Sequence, residues 1–190
     1  MALGARAAHE RAEAMYRPRA NRLGLWLFFA SEAFLFGAFI SARYVTAGVD
    51  KPEQLNQALA LALTVVLLGS SISAYLAESS IAHGDRRRFL RYVLVTIALG
   101  VVFLGGVVLE FREALEFFPP STIYGSNFVA LIGLHGFHVF TGVVGLLVIW
   151  NLGRKGHFGP GDYWGAEGVI KYWHFVDLAW VIIYPTLYLF

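Results

Sequence analysis

The sequence contains no cysteine. Disulfide frameworks, thiolate nucleophiles, cysteine-ligated zinc and iron–sulfur clusters are thereby excluded, and the redox compartment cannot be read from thiol usage. Charge is scarce as well: Asp, Glu, Lys and Arg make up 15% of the 190 residues, against about a quarter in soluble domains. The soft or titratable metal ligands left are six histidines and two methionines. There is no glycine-rich phosphate loop, GxSxG elbow or HExxH pair. The basic residues do not interleave with aromatics as nucleic-acid surfaces do, so no nucleic-acid partner is expected. What is abundant is apolar: 57% of residues are hydrophobic and 16% aromatic, the composition of a membrane protein.

A bilayer core about 30 Å thick needs roughly 20 mostly apolar residues per helix. Five segments meet that length, near 22–46, 57–78, 90–112, 125–151 and 172–190. The connections carry loop breakers: Gly48 and Pro52, Gly84, Pro119 and Pro120, then Gly153, Gly156, Gly159, Pro160 and Gly161. The fold expected is all-α, a polytopic bundle of five transmembrane helices forming one domain over 22–190, preceded by a basic tail over 1–21. That tail has no secretory-signal pattern and reads as an interfacial helix up to Pro18. Twelve of the fifteen Lys and Arg residues fall on one side of this layout. They are Arg6, Arg11, Arg17, Arg19 and Arg22, then Arg86, Arg87, Arg88 and Arg91, then Arg154, Lys155 and Lys171. Arg43, Lys51 and Arg112 fall on the other. The excess of cations predicts a cytoplasmic N-terminus and, with five crossings, a C-terminus outside.

Several polar residues lie where lipid or core is expected. Glu32, in LWLFFASEAFLFGAF, comes ten residues after Arg22, about 15 Å along the helix. A carboxylate at that depth costs about 2.5–3.5 kcal/mol on insertion scales, so a functional role is preferred over a structural hydrogen bond. In YGSNFVALIGLHGFHVFTGVVGL, His135, His138, Gly142 and Gly145 share one helix face, with Gly133 and Gly136 on much of the opposite one. Both faces are expected to receive a neighbouring helix closely. The histidine pair has the spacing of a haem or metal ligand set, but without a further histidine cluster interhelical hydrogen bonding is the preferred reading. On the last segment, YWHFVDLAW begins a stripe of His174, Asp177, Val181, Tyr184 and Tyr188. A packing pair and a proton relay both fit His174 and Asp177. Arg86, Arg87, Arg88 and Arg91 are candidates for holding anionic lipid headgroups, beside the plainer reading that they set topology alone. Glu110, Glu113 and Glu116, three apart, read as a solvated helix face.

Four of these stretches in order, LFFASEAFLF, AHGDRRR, YGSNFVALIGLHGFHV and YWHFVDLAW, resemble subunit III of haem-copper terminal oxidases, from about Arg22 to Phe190. The resemblance implies an all-helical membrane subunit that holds no haem or copper. Subunit I, its direct partner, would carry the oxygen-reducing centre and the proton paths, with subunit II and other respiratory subunits alongside. It also implies that subunit III stabilises that centre through turnover, supports proton uptake and oxygen access, and binds phospholipid. By the same resemblance Glu32 is the family's buried membrane glutamate, and His135, His138, His174 and Asp177 are motif positions with packing or interface roles. Two helices of the seven-helix form have no counterpart before the glutamate helix, which implies a five-helix form. The Ala-, Gly- and Arg-rich composition suits a bacterial plasma membrane.

The FVD of the closing motif favours a cytochrome c oxidase. A quinol oxidase and the homologue that accompanies nitric oxide reductases are the nearest alternatives. From a different class, a small proton-coupled transporter would use Glu32, His138 and Asp177 as its relay. It predicts an internal repeat or helices broken at mid-membrane.

Overall fold

The computed structural model of the chain describes residues 2–48, 52 and 55–189, with the backbone alone for 2–18. The side chains of Arg6, Arg11 and Arg17, and all of Lys51, lie outside the described residues. Five long helices follow one another: α1 Ala2–Ala47, α2 Gln57–Ala82, α3 Arg86–Phe117, α4 Ile123–Arg154 and α5 Trp164–Tyr184. A π-helical turn, Pro185–Leu189, continues α5. Among the described residues there is no strand, only an isolated antiparallel bridge between Gly159 and Asp162. The all-helical fold expected from hydropathy is the fold observed.

The chain divides into two compact units, residues 1–35 and 36–190. The first is the N-terminal part of α1, which runs on through Pro18 and not merely up to it. Proline there removes one intrahelical hydrogen bond, and the apolar run that follows carries the helix onward. Within this unit Trp26 meets Phe29 edge-on at 5.8 Å, and Phe28 tilts against Phe29 at 6.0 Å.

The second unit is built on four helices packed in a ring: α2 on α3, α3 on α4, α4 on α5, and α5 back on α2. Short connections make sequential neighbours antiparallel. Three helix starts are fixed by side-chain caps on backbone N–H groups. Asn56 accepts from Leu59 at 3.1 Å, Asp85 from Arg88 at 3.0 Å, and Thr122 from Gly125 at 3.1 Å. Between α2 and α3 the chain reverses in three residues, and Gly84 takes φ +79° there, a conformation that glycine adopts without Cβ strain. The ring closes around Leu67, Phe103, Leu131, Leu146, Trp173 and Trp180, all fully buried.

The helices extend past the apolar segments that announce them. α3 begins at Arg86 and ends at Phe117, and α5 begins at Trp164, eight residues before the apolar run. Among the described residues four stretches are long and apolar enough to cross a membrane: Arg19–Ala47, Gln57–Ala82, Arg86–Phe117 and Ile123–Arg154. The α-helical part of α5 carries Glu167, Lys171 and Asp177 and is not among them. In α2, α3 and α4 only 33%, 33% and 44% of the most apolar window is buried inside the molecule. The ring interior therefore accounts for less than half of that apolar surface, and the rest faces outward. A helix apolar on all sides belongs in a larger core or a bilayer, which makes this a multi-pass membrane protein.

Candidate functional site

The polar residues of the second unit gather along the seam where α5 meets α2. Trp173 donates its indole N–H to Ser70 Oγ at 3.0 Å, and Trp180 donates to Thr64 Oγ1 at 2.9 Å. Between them, His174 Nδ1 and Ser71 Oγ share a hydrogen bond of 2.8 Å. Sequence spacing is compatible with all three bonds: residues 173, 174 and 180 face one side of α5, while 64, 70 and 71 line two turns of α2. The α2 hydroxyls of Thr64 and Ser70 accept the indole bonds while donating their own protons to carbonyls one turn back, at Ala60 O and Leu67 O.

Asp177 sits in the same seam and is 3% exposed. Its carboxyl faces Ser71, yet neither oxygen has a partner at hydrogen-bonding geometry among the described residues. His174 and Asp177 therefore do not bond to each other. The histidine is tied to α2, and the carboxyl is left as a buried group without a donor.

The two histidines of α4 separate in role. His138 donates Nδ1–H to Leu134 O, one turn back in its own helix, at 2.8 Å, and its ring lies 5.0 Å from Phe36. His135 is fully buried and neither ring nitrogen finds a hydrogen-bond partner among the described residues. It packs as an aromatic, edge-on to Phe103 at 5.7 Å and tilted on Trp180 at 5.0 Å. For His135 the expected interhelical hydrogen bond is not observed among the described residues, and its ring serves as an aromatic wedge. His135 against Trp180 nevertheless joins the histidine stretch of α4 to the closing stretch of α5. Among the described residues no three His, Asp or Glu side chains group as a metal site.

Close helix approach is confined to one of the two glycine faces. A Cβ on Gly142 would fall 2.8 Å from the Trp173 ring, and one on Gly100 of α3 would fall 2.6 Å from it. Gly133 and Gly136, on the opposite face, meet α3 only at ordinary contact distances of 3.8 and 3.9 Å. Tyr172 adds a bond from α5 to Thr141 Oγ1 of α4 at 2.8 Å.

Glu32 belongs to the first unit and is half-buried. The four arginines following α2 have unequal tasks. Arg86 donates from Nε to Gly153 O at 2.7 Å and from Nη2 to Arg154 O, which caps the end of α4. Arg88 pairs with Asp85 at 3.2 Å, and Arg87 and Arg91 are exposed.

A second polar knot, at the other end of the ring, was not visible in the sequence. Glu110 is 3% exposed and accepts from Tyr188 Oη at 2.6 Å. The reading of Glu110 as part of a solvated face is thus corrected, while Glu113 and Glu116 are exposed as expected. Gln57 donates to Tyr188 O at 2.9 Å, and Tyr124 Oη donates to Leu187 O at 2.9 Å. Arg43, fully buried, lies over the Tyr124 ring at 5.1 Å and donates to Gly48 O. One sequence signal was available for Glu110: it follows the apolar run GGVVL directly.

In all, the geometry supplies a rigid polar lacing between membrane helices. A sequence model of the family "Cytochrome c oxidase subunit III" matches residues 7–190. The cytochrome c oxidase subunit 3 of Thermostichus vulcanus is 33% identical over 173 residues, covering 88% of this chain and 86% of that protein. The proteins of that name from Ceratotherium simum and Gallus gallus are 36% and 34% identical over 179 residues, covering 88% of this chain and 68% of theirs.

Proposed function

The chain belongs to the cytochrome c oxidase subunit III family, and on that premise we propose that it is the non-catalytic accessory subunit of a proton-pumping cytochrome c oxidase. The observation that carries the reading is the family match over residues 7–190. In this reading the chain packs directly against subunit I, with subunit II and further respiratory subunits around it. The haems and copper sit in those partners, and bound phospholipid fills remaining grooves. The chain stabilises the oxygen-reducing centre through turnover and supports proton uptake and oxygen access.

The charge layout supports a cytoplasmic N-terminus in a bacterial plasma membrane, with α5 and its π turn completing a fifth crossing. Arg86, Arg87, Arg88, Arg91, Arg154 and Lys155 gather where α3 starts and α4 ends, at one end of the ring. At the opposite end Arg43 is buried over Tyr124. Cations concentrated at one end fit the cytoplasmic leaflet. His135, His138 and His174 act in packing. Glu32 and Asp177 are the carboxyls with a proton-linked role, because each is a costly group to place in a membrane helix.

The test is purification of the tagged chain in mild detergent, followed by a visible spectrum. Copurifying haem bands, with oxygen consumption driven by reduced cytochrome c, are the expected result. A colourless, partnerless protein that carries protons in liposomes would overturn the proposal in favour of a transporter.

A further inference from the structure

Where α3 ends and α2 begins, at the end of the ring opposite the arginines, a small cavity of about 10 Å³ lies beside Glu110, Glu113 and Asn56. Its remaining wall is apolar, with Leu55, Ala114 and Phe118 among it. That volume is about what one water needs. Glu110 is 3% exposed, and its Oε1 accepts from Tyr188 Oη at 2.6 Å. Its Oε2 is buried and has no hydrogen-bond partner among the described residues. Neither charge state of the carboxyl relieves this. The carboxylate leaves Oε2 an unmet acceptor, and the acid makes it a buried donor facing nothing.

Glu113 stands one turn on from Glu110, on the same helix face and lining the same cavity. Two carboxylates so placed repel each other, and among the described residues no cation forms an ion pair with either. Asn56 reaches Glu113 Oε2 only through a long hydrogen bond of 3.4 Å, while its own Oδ1 caps α2. The polar groups around the cavity therefore offer oxygen, with no thiolate and no imidazole, which is the donor set of a hard cation. A single water would satisfy Oε2 but would leave both charges in place. We propose that the cavity binds one calcium-class divalent cation between the Glu110 and Glu113 carboxylates, with the Asn56 amide at its edge and water completing the shell. Two carboxylates match the charge of such an ion, and calcium accepts six to eight oxygens that include carboxylates, amides and water. The site goes beyond the accessory role proposed above and does not depend on it. Held there, the ion would fasten the end of α3 to the start of α2, next to the Tyr188 hydroxyl.

The experiment uses the chain purified in its complex in mild detergent, stripped with a calcium chelator and titrated with radioactive calcium to millimolar levels by equilibrium dialysis. Wild type should bind one calcium more per chain than Glu113→Gln, whose affinity at this site falls about tenfold or more. Because Glu113 is exposed, calcium held by other subunits is the same in both and cancels in the difference. Asn56→Asp keeps an acceptor for the cap of α2 and adds a third carboxylate, so it should tighten calcium about tenfold. Should Glu113→Gln fail to accumulate, Asn56→Asp carries the test. Equal calcium binding by wild type and Glu113→Gln, or an Asn56→Asp affinity no higher than wild type, overturns the proposal and leaves a water in the cavity. Absence of haem from the purified wild type overturns the subunit reading, and the calcium difference is then still read on the chain obtained.

Discussion

Trp173 is wedged between Gly100 of α3 and Gly142 of α4 while its indole reaches Ser70 of α2, so one side chain touches every other helix of the ring. Its ring fits because neither glycine carries a Cβ. Gly142→Ala should therefore destabilise the protein by about 1–3 kcal/mol through overpacking, whereas Gly133→Ala, with its nearest neighbour at 3.8 Å, should be close to neutral. Thermal unfolding of the two variants in the same detergent checks this, and equal melting temperatures would contradict it. At the other end of the ring, Glu110 and Tyr188 are 78 residues apart in sequence and 2.6 Å apart in space. A double-mutant cycle on Glu110→Gln and Tyr188→Phe should give a coupling near the average of about 0.6 kcal/mol and below the maximum of about 1.7 kcal/mol for hydrogen bonds between membrane helices. Additive losses would show that the bond contributes nothing of its own. This pair also marks where local sequence stops being informative. A spacing of three among Glu110, Glu113 and Glu116 says only that they share a helix face, and the partner that buries one of them lies at the far end of the chain.

At the scale of helices, hydropathy announces which segments are helical but not where they end. The ends are set by polar chemistry: Asn56, Asp85 and Thr122 cap α2, α3 and α4, and each stands just outside the apolar run it serves. α5 starts early for a related reason, since Glu167 and Lys171 form an ion pair one turn apart that favours helix while lowering hydropathy. The positions of His135, His138, His174 and Asp177 on their helix faces were legible. Their partners were not, because a helix wheel cannot tell an aromatic nest around His135 from a hydrogen bond. Arg86 provides the test at this scale. By capping the carbonyls of Gly153 and Arg154 it fastens the end of α4 to the start of α3. Arg86→Gln should speed amide hydrogen exchange at residues 155–157 by about tenfold, given roughly 1.5–3 kcal/mol for hydrogen bonds from a charged group, without affecting the middle of α4. Unchanged exchange would show that water serves those carbonyls as well.

For the whole molecule, membership of the subunit III family and the outward apolar surface of α2, α3 and α4 give the chain its place as a membrane subunit. The polar seam gives that subunit rigidity. Glu32→Gln should leave assembly intact and alter proton uptake or shorten the working life of the oxidase, read by copurification and by turnovers before inactivation. Failure to insert or assemble would show a structural task for that carboxyl instead. The most direct test of the accessory role is to strip this chain from the purified oxidase, follow oxygen consumption with reduced cytochrome c, and then add the chain back. The account predicts that the haem spectrum and initial turnover survive removal, that inactivation during turnover comes sooner, and that re-addition restores the original lifetime. Loss of haem bands together with the chain, or a lifetime indifferent to its presence, would contradict it.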